Sequence, residues 1–149
     1  MAVPQHPANS AWEALLAAHA TLMRQFSAED TWENLSMKEY DVLYTLSKCP
    51  EPIRLSELNR HVLLSQPALS RMVDRLADRG LIRRAADPCD GRGVRLSLTE
   101  PGAVVQRRIG QRHGRSVAGA MLAGLTPAEL RQLEEICGKL AGTAPARSE

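Results

Sequence analysis

The chain has 149 residues, a net charge of +2, 24% charged and 3% aromatic residues, and three cysteines. That length buries a core without disulfide support, and no apolar run nears the roughly 18 residues of a membrane span. Cys49, Cys89 and Cys137 are odd in number, widely spaced and without a CxxC pair, which excludes a disulfide framework and a zinc site.

The first ten residues, MAVPQHPANS, have neither a basic region nor an apolar core, so a secretory signal is not expected and the expected location is the cytoplasm. One domain over 1–149 is expected. Charge is uneven. Residues 1–53 carry three basic and seven acidic groups, residues 54–95 nine and five, and residues 96–149 seven and five. The middle third is therefore a basic region that favours polyanions.

Residues 11–27 place Trp12, Leu15, Leu16, His19, Leu22, Met23 and Phe26 at steps of three and four, which predicts a helix. His19 lies on that apolar face, as a core histidine with an internal partner or as a ligand contact. A polar stretch follows, and Ser36 and Glu39 then stand at capping-box spacing. The next helix carries Tyr40, Leu43 and Leu46 and stops at the prolines of CPEP. Two short segments come next. LSELNRHV holds Leu55, Leu58 and Val62 on one side. After a tight link, Ser65 caps a helix with Pro67 in its first turn, and Leu69, Met72, Val73 and Leu76 form its apolar stripe. Gly80 ends it. These two segments make a helix-turn-helix.

LIRRAA and GVRLSL read as strands, the second alternating Val94, Leu96 and Leu98 with Arg95 and Ser97. The loop between them holds Asp87, Pro88, Asp90, Gly91, Arg92 and Gly93. It lacks the further oxygen ligands of a calcium loop. A helix-turn-helix followed by a strand pair is a winged helix. Thr99 and Pro101 then open a long helix to about residue 123, with Arg107, Arg108, Arg112 and Arg115 and no acid between 101 and 125. That run can line DNA, hold an acidic ligand or meet the acidic N-terminal part of a partner chain, and a dimer or ligand role is favoured. Thr126, Pro127 and Glu129 start a last helix whose apolar face is Leu130, Leu133, Ile136, Cys137 and Leu140. Residues 141–149 are expected to fray.

LSQPALSRMVDRLADRGLIRR, DPCDGRGVRLSLTEPG and LTPAEL, in this order, resemble the MarR family of bacterial transcription regulators over about residues 11–142. The resemblance implies a mainly α fold with a small β-hairpin. Residues 36–99 would form the winged helix-turn-helix, and residues 10–30 and 100–142 the helices of a homodimer. It also implies double-stranded DNA as partner, a pseudo-palindromic operator, repression, and release by a small aromatic or acidic ligand. For that ligand the expected lining is Trp12, His19, Met23, Tyr40, Leu43 and Arg112.

The residues support DNA reading on their own terms. Ser65, Gln66, Ser70, Arg71 and Arg75 lie off the apolar stripe of the 66–79 helix. Gln66 suits adenine edges and Arg71 guanine or a phosphate. Pairing of Arg71 and Arg75 with Asp74 and Asp78 is the bland alternative. Arg54 and Arg60 suit the backbone. Asp90 is read as holding the Arg92 fork, and Arg92 as reaching a narrow minor groove. A redox-controlled regulator using Cys49 or Cys89 is the alternative control. A winged helix for protein contacts is the remaining reading, and Arg92 with the polar face of 66–75 argues against it. No GxSxG, HExxH or P-loop is present, so no enzyme, metal or cofactor is expected.

Overall fold

The computed structural model describes residues 6–142, in two compact units divided after His113. The expected fraying of 143–149 lies outside the described residues. The first unit begins with α1 (Pro7–Ser27) and α2 (Met37–Ser47). Ser36 and Glu39 form the expected capping box: Glu39 N–H donates to Ser36 Oγ over 3.1 Å and Ser36 N–H to Glu39 Oε1 over 2.9 Å. Next come β1 (Ile53–Arg54), α3 (Leu55–Asn59), α4 (Gln66–Asp78), β2 (Ile82–Asp87), β3 (Asp90–Leu98) and α5 (Glu100–Gly124). In the second unit α6 (Pro127–Ala141) starts at a capping box of Thr126 and Glu129 and ends at Gly142 in the left-handed region. Among the described residues no helix is long and apolar enough to cross a membrane.

The expected hairpin gains a third strand. The antiparallel sheet has the order β1-β3-β2, with Ile53 opposite Leu96 and Arg54 opposite Arg95. Two residues carry too little periodicity to announce a strand, and only the distant β3 partner makes one. α3 is also shorter than the expected 55–62, because the chain turns after Asn59.

Leu43, Leu58, Leu69, Leu76, Val42 and Ile109 are the largest fully buried side chains. They fix α4 against its neighbours through the stripe read from its sequence. The end of α4 is a Schellman motif: Gly80, at φ +75°, donates to the Ala77 carbonyl over 2.9 Å and Leu81 N–H to the Leu76 carbonyl over 3.0 Å. The same corner ties down the wing and α5. Thr99 N–H donates to Leu81 O over 3.2 Å, and Gly102 N–H to Thr99 Oγ1 over 3.0 Å. Gly102 packs so tightly that a Cβ there would stand 2.0 Å from the Leu81 carbonyl oxygen.

His19 is exposed, so it is not the core histidine. That role falls to His113, whose ring lies 4.8 Å from Trp32, 5.2 Å from Phe26 and 5.7 Å from Tyr40. Its Nδ1 is buried without a hydrogen-bond partner among the described residues. Burial holds the imidazole below its ordinary range, against the pull of Glu29 and Asp41. The unfolded chain therefore takes up a proton near pH ~6.5 that the folded chain refuses. Stability is expected to fall as pH drops below that value toward the depressed folded pKa. His113→Phe should flatten this part of the profile between about pH 7 and 5. Urea unfolding across that window checks it, and an unchanged pH slope in the variant would contradict it.

Candidate nucleic-acid interface

Ser65 caps α4, its Oγ accepting from the Ala68 amide over 3.3 Å. The turn before it is held by Asn59, whose Nδ2 donates to the Leu64 carbonyl over 2.8 Å. With Leu69, Met72, Val73 and Leu76 buried, the opposite face presents Gln66, Arg71 and Arg75 to solvent, with Ser70 half-buried between the two faces. The pairing of Arg71 and Arg75 with neighbouring acids does not form. Asp74 is taken by Arg84 of β2, with Nη1 2.5 Å from Oδ1, and Arg79 reaches Glu39 at 3.7 Å. Among the described residues Arg71 and Arg75 make no ion pair. Four turns of sequence thus keep their acids away from their outermost cations.

The wing differs from its sequence reading in one contact. Asp90 Oδ1 accepts from the backbone amide of Arg92 over 3.1 Å, rather than from its guanidinium. A carboxylate two residues before an amide closes a short local ring, and that geometry wins over a contact with a long mobile side chain. Asp90 therefore shapes the loop, and Arg92 stays exposed, with no ion pair among the described residues.

Sequence reasoning missed the role of Asp87, which it weighed only as a ligand of a cation-binding loop. Its side chain is fully buried beside Arg54 and Arg95. The Cys89 amide and Arg54 hold its carboxyl below the ordinary carboxylate range, and Asp87 in turn raises Arg54. Arg54, expected to face a backbone phosphate, is thus anchored from within. Because β1 itself was invisible, only the alternation that puts Arg95 on one face of β3 hinted at this grouping.

A separate cleft of about 880 Å³ opens between α1, α2 and the turn before α4. His19, Met23, Lys38, Asp41, Tyr44, Cys49 and His61 line it, with Val62, Leu63 and Leu64 as one wall. Burial raises the Asp41 carboxyl. Of the six expected ligand residues it brings together His19 and Met23. Leu43 is 0% exposed and Tyr40 4%, because the i, i+3 face of α2 packs inward. Tyr40 faces Trp32, 5.4 Å between ring centres. Arg112 lies 3.5 Å from Glu33, and Trp12 stands in solvent. Arg108 grips Glu33 with two hydrogen bonds of 2.8 Å, so the arginine run meets an acid of its own chain. Cys49 gives its thiol proton to the Thr45 carbonyl over 3.3 Å, and Cys89 contributes a backbone amide.

A family model described as the MarR family matches residues 35–94, from the cap of α2 into the wing. The multiple antibiotic resistance protein MarR of Salmonella typhimurium is 32% identical over 107 residues, 72% of this chain and 74% of that protein. Sco3205, a MarR family transcriptional regulator from Streptomyces coelicolor solved in complex with DNA, is 27% identical with a TM-score of 0.78, over 99% of this chain and 96% of its own. The PcaV transcriptional regulator of the same organism, solved with its natural ligand, is 30% identical with a TM-score of 0.68, over 97% and 100%. With a winged helix-turn-helix, a matching family model and a relative of this identity and coverage, the chain belongs to the MarR family of transcriptional regulators.

Proposed function

We propose that the chain is a homodimeric, sequence-specific DNA-binding repressor with no catalytic role, acting in the cytoplasm and released by a small aromatic or acidic ligand. The observation that carries the DNA reading is the charge arrangement. Among the described residues Arg71, Arg75 and Arg92 make no ion pair on α4 and the wing, while the neighbouring Asp74 and Asp87 are engaged by other arginines. Cations left unpaired in this way are available for phosphates and base edges. Ser65, Gln66 and Ser70 at the start of α4 enter the major groove first. Residues 36–99 form the DNA-binding part of a single domain over 1–149. Residues 10–30 and 100–142 form its dimerisation part. Trp12 and Leu16 on α1, and separately Ile136 and Leu140 on α6, expose large apolar side chains, which suits a subunit interface.

The cleft beside the turn before α4 supports ligand control, since its occupant would touch the segment that leads into Ser65. Lys38, Lys48 and the two histidines suit an acid, and Tyr44 an aromatic ring. Redox control through Cys49 or Cys89 is not favoured, because neither thiol has a second cysteine or a cationic partner among the described contacts.

Footprinting on the DNA upstream of the gene is the test. A pseudo-palindromic footprint is expected, with half-site centres about 10 bp, one helical turn, apart. A single asymmetric half-site would contradict the dimeric reading.

A further inference from the structure

One residue from each strand meets at the root of the wing. Arg54 of β1 donates from Nε to Asp87 Oδ2 over 2.6 Å, and Arg95 of β3 brings Nε to 3.2 Å from Asp87 Oδ1, an ion pair without a hydrogen bond. The Asp87 side chain is 0% exposed, whereas the two arginine side chains remain 43% and 32% exposed. Arg54 and Arg95 are also direct cross-strand partners. Like charges placed opposite one another destabilise a sheet. Asp87 offsets that repulsion, and its Oδ1 is fixed in addition by the Cys89 amide at 2.9 Å. Both arginines turn Nε inward. Their terminal amino groups have no acceptor among the described residues. Two cations share one buried anion, and although Asp90 and Glu57 add a weaker pull on Arg54, the terminal amino groups keep free donors at the surface.

We propose that Asp87 is a positioning residue for DNA binding: it holds Arg54 and Arg95 side by side, so that the outward amino groups of each engage a DNA phosphate of their own at the root of the wing. Arg95 is then a phosphate contact in its own right. The inference rests on the DNA-binding reading above.

The test is a titration of operator DNA with the full chain across salt, comparing wild type, Arg95→Gln and Asp87→Asn. Each phosphate contact adds about 0.9 to the slope of log affinity against log salt, and a homodimer carries each change twice. Arg95→Gln is expected to flatten the slope by about 2 and to weaken binding roughly 60-fold at about 0.1 M salt, alike on operator and unrelated DNA. Asp87→Asn separates positioning from charge. Coulomb attraction alone makes the loss of two carboxylates per dimer tighten binding, whereas the proposal expects a weakening of about tenfold or more, with a flatter slope. An unchanged slope for Arg95→Gln, or tighter binding by Asp87→Asn, overturns it. Thermal melting establishes that each variant folds, and if Asp87→Asn does not, Arg95→Gln decides alone. If wild type binds no DNA, the broader reading fails. If wild type binds and Arg95→Gln is unchanged, only this inference fails.

Discussion

Gly102→Ala is expected to destabilise the protein by about 3 kcal/mol or more, the upper range for forcing a methyl into a packed site. In an exposed helix the same change stabilises by nearly 1 kcal/mol, roughly the propensity difference between the two residues. Here the sign reverses because the added carbon would sit 2.0 Å from the Leu81 carbonyl oxygen. Backbone, not a flexible side-chain tip, is the obstacle. To relieve it, α5 must move off the corner where α4 ends and the wing begins, which breaks the Thr99–Leu81 and Gly102–Thr99 hydrogen bonds. Urea unfolding of the variant checks this, and a midpoint equal to or above that of the wild type would contradict it. Because that corner orients both DNA-facing elements, whatever folded variant remains should also bind operator more weakly.

Arg92→Ala is expected to cost about 1–3 kcal/mol of binding for each wing, on the scale of other specific arginine contacts. Distant sites add, so the dimer should lose about twice that. The side chain is exposed and makes no ion pair among the described residues, and its backbone is pinned through Asp90 Oδ1 at 3.1 Å. A fixed loop with a free guanidinium suits a narrow, electronegative minor groove, where A-tracts concentrate negative potential. The loss should therefore be larger on operators whose wing positions are A·T-rich than on the same sites made G·C-rich. Equal affinity of variant and wild type on the operator would show that the wing tip is not used.

Features settled by neighbours in sequence were legible. Ser36 with Glu39, Thr126 with Glu129, and Gly80 after α4 all act through contacts a few residues long, and each forms as read. The stripe of Leu69, Met72, Val73 and Leu76 was legible because helical period alone assigns it to the core. Features settled across the fold were not. β1 exists only because Ile53 and Arg54 meet residues some forty positions later. Asp87 reads as one more residue of the wing loop until β1 and β3 bring two arginines to it. Gly110 looks like a weak point of a helix, yet a Cβ there would stand 2.9 Å from the Tyr40 hydroxyl. Tyr40 and Leu43 share residue types with a ligand pocket, and burial alone removes them from it. The candidate DNA face depends on less of the fold than the candidate ligand face. The first lies on one helix and one loop, and the second depends on how three segments pack.

The central claim is that the basic middle of the chain binds the phosphate backbone and reads bases from it. Titrating the DNA upstream of its own gene with the purified protein, from low salt to above physiological salt, tests that claim most directly. Affinity is predicted to fall steeply and linearly on logarithmic axes, by about 0.9 in slope for each phosphate engaged, with unrelated DNA bound far more weakly at every salt concentration. No binding, or an affinity that salt leaves unchanged, would contradict it.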